Sequence, residues 1–387
     1  MDKDYQRRTL DACGGRDYLS DFAICAASER RIELSSEVLH QKPEVTPARR
    51  EFYGRLDQKN LAPLWESLGN LVTPTPRTSC VPALWQYTKL RELLIEAGQL
   101  ITAHEAERRV LVLENPGIRG RSQITNSLYA GLQLILPGEI AGSHRHAACA
   151  LRFIVEGNGA YTAVDGERVS MYPGDFIITP SWTFHDHGNT GNEPVVWLDG
   201  LDLPIVNLFD TSFAEKYREE VQPVTRGEND AAAAFGSNML PFDYEVHGRN
   251  SPLFAYRYDK CRKALAHLAS QGAPHPVHGV KLQYANPATG GSPMPTIGAY
   301  LQLLPSGFSG GDYRSTDATI FCVAEGSGYS VIGGERFDWT ARDVFVVPSW
   351  VGVSHHAPNG EAVLFSFSDR PAQKALGLWR EDRSNNA

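Results

Sequence analysis

The chain has 387 residues, 42% of them hydrophobic, and a formal net charge of -8. That is enough apolar material for two modest domains or one large one, while the acidic balance and the lack of a dense Lys/Arg run exclude nucleic acid and anionic membrane surfaces as expected partners. The cysteines, Cys13, Cys25, Cys80, Cys149, Cys261 and Cys322, are scattered without a C-x-x-C pair, which excludes a disulfide scaffold and a cysteine zinc site and favours a reducing compartment. The first residues carry charge where a signal peptide has an apolar core, and no stretch approaches a membrane span, so a cytoplasmic protein is expected.

Residues 1–45 show little periodicity and are expected to form a partly ordered arm. A helical N-terminal region, 46–125, follows. Thr46-Pro47 is a good helix start, with a hydroxyl cap and Pro in the first turn. Leu61, Leu64, Trp65 and Leu68, then Leu90, Leu93, Leu94 and Ala97, recur at i, i+3, i+4, i+7 and predict two core-facing helices. Thr102 to Glu105 has capping-box form, so a short helix is expected to carry Glu107 and Arg108 toward a strand at Val110 to Leu113.

From 126 to 205 short strands alternate with turns at Pro137-Gly138, Gly157-Asn158-Gly159, Asp165-Gly166 and Pro173-Gly174, the pattern of an antiparallel barrel or jelly roll. Within it stand His144 and His146. One residue apart on a strand, they face the same way and can grip one metal ion. His185, after a Gly-Asp turn, four strand-type residues and Pro180, is placed to supply a third imidazole. Three neutral nitrogen donors leave positions open for a substrate and a gas molecule, and by donor type suit iron, zinc, copper or nickel.

Residues 206–285 read as a connecting segment with helical parts, and an internal repeat then sets the architecture. The run from Ala130 to Pro137 recurs from Ala299 to Pro305, Glu156 to Gly159 as Glu325 to Gly328, and Gly174 to Trp182 as Arg342 to Trp350. The chain is therefore expected to be mainly β, with a second barrel over 286–370 and a C-terminal helix and tail over 371–387. In that second copy Tyr313, Ser315 and Val353 fill the slots of His144, His146 and His185, so it is expected to be metal-free. His355 and His356 are adjacent and must face opposite ways on a strand.

The spacing G-x5-H-x-H, then G-x5-P-x-W-x2-H-x3-N, resembles the two-part signature of the cupin superfamily. The usual glutamate ligand is replaced by Ala150, which argues against manganese cupins and for the three-histidine ring-cleaving branch. The words Ser127 to Gln133, Ala150 to Gly157, Trp197 to Asp202, Glu107 to Pro116, Asn286 to Gly291 and Phe365 to Arg370 resemble the gentisate 1,2-dioxygenase family. The resemblance implies a bicupin of two jelly-roll barrels, Fe(II) at the histidines, and cleavage of 2,5-dihydroxybenzoate by oxygen to maleylpyruvate, in a homotetramer. It also implies site roles. Arg152 steadies substrate and oxygen, and Arg108, in preference to Arg109, reaches the substrate carboxylate. His187 acts as acid/base or hydrogen-bond partner, and Asp199 orients it or the substrate. Tyr129, Gly131 and Gln133 form the pocket floor. Arg152 shares strand parity with His144 and His146, and a charge in an apolar strand is costly without a purpose.

The same motifs fit relatives that open salicylate, 1-hydroxy-2-naphthoate or substituted salicylates, because an apolar pocket separates rings of similar size weakly. A non-catalytic bicupin that binds or stores a ligand is the rival of another class. An intact open metal site argues against it.

Overall fold

The computed structural model describes residues 45–246 and 248–382. The expected arm therefore lies outside the described residues, apart from its last position, as do residues 383–387 of the tail. The chain divides into two compact units, Met1–Val72 and Thr73–Ala387.

In the first unit the helix Pro47–Asp57 begins where its sequence predicts, with Thr46 Oγ1 accepting the Arg49 N–H at 3.3 Å. A second helix, Leu64–Leu71, is tied to it through Glu66, which receives the Tyr53 hydroxyl at 2.5 Å and Arg49 Nη2 at 2.8 Å. The first apolar stripe does not face a core. Leu61, Leu64, Trp65 and Leu68 are each about half exposed. Periodicity fixes which face of a helix is apolar, and two short helices alone are too small a unit to cover it. The second stripe, on the helix Tyr87–Leu100 of the larger unit, buries Leu94 fully and leaves Leu93 exposed. Thr102 caps the short helix Ala103–Ala106, its Oγ1 accepting the Glu105 N–H at 3.1 Å.

The larger unit contains two antiparallel barrels. The first closes a six-stranded sheet, Ala255–Tyr256, Phe176–Thr179, Ala150–Glu156, Val195–Leu201, Tyr129–Ile135 and Val110–Val112 in spatial order, against a five-stranded sheet, Ala214–Lys216, Ile140–His146, His185–Asn189, Ala160–Val164 and Glu167–Ser170. The second repeats this with six strands, Ala83–Trp85, Val344–Val347, Thr319–Glu325, Ala362–Ser368, Gly298–Leu304 and Val280–Gln283, and four, Phe308–Ser309, Val353–Ala357, Ser327–Ile332 and Glu335–Thr340. Stretches expected to be helical thus also donate edge strands: Ala83–Trp85 from one, and Ala214–Lys216, Ala255–Tyr256 and Val280–Gln283 from the other. Segments this short carry no readable alternation, and the neighbouring strand decides their conformation.

The six-stranded sheets pack against each other, with Phe153 stacked on Phe365 at 4.2 Å between ring centroids. Every residue of Ala150–Glu156 is consequently buried, one set in its own barrel and the alternate set against the other. At the edge of this seam Glu156 receives Arg91 at 2.7 Å and Arg342 at 3.0 Å. No helix among the described residues is long and apolar enough to cross a membrane.

Candidate metal centre

The ladder between Ile140–His146 and His185–Asn189 is irregular: Ala141 faces His187, yet His144 faces His185. This bulge-like slip turns the end of the first strand so that His144, His146 and His185 bring donor atoms within 4.8 Å of one another. Their ring centroids are 4.3 to 5.3 Å apart. The strand is locked by the turn that delivers the third histidine, since the Trp182 N–H donates to His146 O at 2.8 Å. Trp182 itself takes a left-handed φ of 59°, unusual for so bulky a residue.

His146 Nδ1 lies 2.8 Å from Ala148 O, and His185 Nδ1 lies 2.9 Å from Thr183 O. A carbonyl can only accept, so each Nδ1 carries the proton and each Nε2 keeps a lone pair. Burial is the main cause lowering the proton affinity of all three rings; His144 falls to about 3 with Arg108 assisting, and His185 falls well below its ordinary value with Arg152 assisting. Neutral imidazole is the state a metal needs. The donor set is three imidazoles without a carboxylate, and among the described residues it is the only such group of three.

Two arginines flank the triad. Arg108 donates to Gly142 O at 2.6 Å and to Glu107 O at 2.8 Å, and Nη2 touches His144 Nδ1. Burial, then repulsion from Arg152, lowers it to about 10. Its neighbour Arg109 turns elsewhere, forked on Glu139 at 2.8 and 2.7 Å. Arg152 is buried, with Nη1 donating to Thr179 Oγ1 at 2.5 Å, Nη2 3.2 Å from His187 Nε2, and Nε 3.6 Å from Asp199 Oδ1.

Asp199 therefore meets Arg152, and its Oδ1 also accepts the Trp197 Nε1–H at 2.9 Å; no hydrogen bond joins it to His187 among the described residues. Burial raises it to about 6 against the pull of Arg152. His187 is buried and held well below its ordinary value by burial first and Arg152 second, and its Nδ1 has no partner. Tyr129 is half-buried, while Gly131 and Gln133 are buried on the same strand and pair with Asp199 and Trp197. A Cβ at Gly131 would stand 2.4 Å from Val110 Cγ1 and 3.1 Å from the Tyr129 hydroxyl, so this position has no room for a side chain.

Two anchors escaped the sequence reading, Thr179 and Trp197, which fix Arg152 and Asp199. Thr179 shares parity with Ile177, the register partner of Arg152, a signal that exists only once the pairing is known. Outside the triad lies a cavity of about 440 Å³, lined by Arg108, His144, Glu107, Lys216, Tyr217 and Glu220; Lys216 Nζ bonds Glu107 Oε1 at 2.6 Å. In the second barrel Tyr313 faces Val353 just as His144 faces His185. His355 points inward and is buried, whereas His356 stacks outside on Tyr329 at 4.5 Å.

Tandem antiparallel barrels, with three convergent imidazoles in one and other residues in the matching slots of its twin, define a bicupin with, among the described residues, a single centre suited to a metal ion. Residues 131–201 match the cupin domain family. The chain is 56% identical to gentisate 1,2 dioxygenase 1 of Aquipseudomonas alcaligenes over 89% of its length and 99% of that protein's, and 35% identical to 5-aminosalicylate 1,2-dioxygenase of Comamonas sp over 83% and 87%. A crystal structure of salicylate 1,2-dioxygenase from Pseudoaminobacter salicylatoxidans with gentisate superposes with a TM-score of 0.83 at 34% identity, covering 88% of this chain and 95% of that one. The chain belongs to the gentisate 1,2-dioxygenase family of ring-cleaving cupin dioxygenases.

Proposed function

We propose that the chain opens gentisate with O₂ between the carboxylated and the adjacent hydroxylated carbon, giving maleylpyruvate, at iron(II) held by His144, His146 and His185. The observation that carries this reading is the all-imidazole donor set flanked by Arg108 and Arg152 and lacking a carboxylate. Bound there, iron(II) supplies open positions for a chelating hydroxy-acid and for O₂, and a path for electrons between them.

The chain's own residues supply charge and orientation. A dianionic substrate beside neutral ligands calls for planar cations, and Arg108 and Arg152 present two guanidinium groups from opposite elements. Asp199, fixed by Trp197, and Thr179 hold Arg152 in place, so the fork is set before substrate arrives. With Nε2 taking a hydrogen bond from Arg152 Nη2, neutral His187 keeps its proton on Nδ1, which is buried, without a partner and free to donate to the substrate. Tyr129, Gly131 and Gln133 form the floor under the ring. In this reading the first barrel, 126–205, carries catalysis in the cytoplasm, the second, 286–370, is metal-free, and the enzyme is a homotetramer.

Relatives named for salicylates favour a second, broader reading of the same site. The test is anaerobic loading with ferrous ion, followed by air and either gentisate or salicylate, reading the near-ultraviolet absorbance of the ring-opened product. Product from gentisate alone supports the narrow assignment, and product from both supports the broad one. No product from either, with iron bound, overturns both.

A further inference from the structure

The second barrel has lost its donor set but not its cavity. Tyr313, Ser315 and Val353, which occupy the triad slots, line a space of about 30 Å³ together with Lys281, His355 and Arg370. Lys281 is new chemistry at an old position. It pairs with Gln302 as Val110 pairs with Gln133, so an apolar wall residue of the first barrel has become an amine in the second.

That amine has no counter-ion. Its Nζ lies 4.9 Å from the Tyr300 ring centroid and 5.8 Å from that of Phe321, and it makes no hydrogen bond or ion pair among the described residues. Asp317, the one carboxylate lining the space, is committed to Arg370 Nε at 3.1 Å and Trp379 Nε1 at 2.8 Å. Arg314 is satisfied by Asp382 at 2.9 Å, and the Tyr313 hydroxyl by Arg370 Nη2 and Glu381 Oε2, both at 3.0 Å. His355 Nδ1 is taken by Ser330 Oγ at 2.8 Å. Arg314 and Arg370 thus each have a carboxylate, and Lys281 is the cation of this wall left without an ion pair among the described residues. Burial, then the charge of Arg370, lowers Lys281 to about 7. Lys281 is only partly buried, but a cation crowded by a second one is held at a cost unless something negative shares the space, and a cavity of this size takes one or two waters or one small ion.

We propose that the second barrel is an anion-binding module, in which a small monovalent anion, a halide or the carboxylate of a one- or two-carbon acid, sits against Lys281 Nζ within the cavity that replaces the metal site. Because only the folded barrel offers this cavity, the anion stabilises the fold in a concentration-dependent way. This inference is independent of which ring the first barrel opens.

The full chain, exchanged into halide-free buffer with isethionate as the counter-ion, is titrated with bromide and separately with formate while its melting temperature is followed; crystals soaked in bromide are then mapped by anomalous scattering at the bromine edge. The expected result is a saturable rise of a few degrees with at least one of the two anions, and its loss in Lys281→Met, which keeps the side chain's length and removes its charge. A bromide peak against Lys281 Nζ identifies a halide site; a saturable shift with formate alone identifies a carboxylate site. Equal shifts in the variant, or no saturable shift with either anion and no bromide at Lys281, overturn the proposal. Should Lys281→Met fail to fold, the wild-type titrations and bromide map decide alone.

Discussion

Across the inner ladder of the first barrel His144 faces His185; at the matching rung of the second, Tyr313 faces Val353. The backbone around these rungs is alike in detail. Trp182 and Trp350 both adopt left-handed φ, 59° and 62°, and their N–H groups donate to His146 O at 2.8 Å and to Ser315 O at 2.7 Å. Asp202 and Asp369 stand before Pro-containing helices and accept the N–H of Cys149 at 2.8 Å and of Ala318 at 3.0 Å. The two barrels thus share a frame down to single turns and differ in what the frame holds. The lesson is that the slots are a property of the fold, and the chemistry is a property of a few side chains placed in them.

The comparison breaks most sharply at the first barrel's histidine triad. His146→Ala is expected to reduce bound iron and activity to background while the melting temperature stays close to wild type, checked by metal analysis and turnover. Retained iron would sink the ligand assignment. Next, Arg152→Ala should keep the iron and lower kcat/KM on the order of 100- to 1000-fold, as loss of a preorganised charge at a reacting centre does. Asp199→Asn, which removes charge from the group holding Arg152, should cost roughly 10- to 100-fold by the same assay.

The reverse experiment sharpens the comparison. Placing Tyr313→His, Ser315→His and Val353→His together in the second barrel should add one equivalent of bound cobalt(II), visible in its d–d absorption. Lys281 and Arg370 oppose a cation there, so adding Lys281→Met should tighten that equivalent roughly ten-fold.

The smallest effect concerns pH. Burial raises the Asp369 carboxyl from an ordinary 3.8 to about 6, with Asp317 adding to the effect. The folded state then binds this proton more tightly than the unfolded one, so its contribution is complete below about 3.8 and is lost as pH rises through about 6. Asp369→Asn should flatten the wild-type decline over that window by on the order of 1–3 kcal/mol, measured by denaturant unfolding at each pH.

Much of this was legible in the sequence because it rests on local periodicity. Two-residue spacing put His144 and His146 on one face, and the repeat gave the twin barrel and its missing ligands. The proximity of Arg108 and Arg152 to the triad came through parity and family resemblance. What stayed hidden depends on distant partners. The stripe at Leu61 to Leu68 had the period of a core helix and stands exposed, since a pattern cannot report whether anything covers it. The anchors Thr179 and Trp197 became visible only through their hydrogen bonds, and nothing in the sequence singles out Lys281, whose place on a cavity wall depends on how its strand pairs.

The strand Ala83–Trp85 precedes the first barrel in sequence yet pairs with Val344–Val347 of the second. Just after it, the Tyr87 N–H donates to Asp343 Oδ1 across a sequence separation of 256 residues. On a ribosome adding roughly 5–20 residues per second, that strand waits through the synthesis of the whole first barrel before its partner emerges. Closure of this ladder is consequently a late step of folding, and the lone edge stays open to wrong partners until Val344–Val347 has been made.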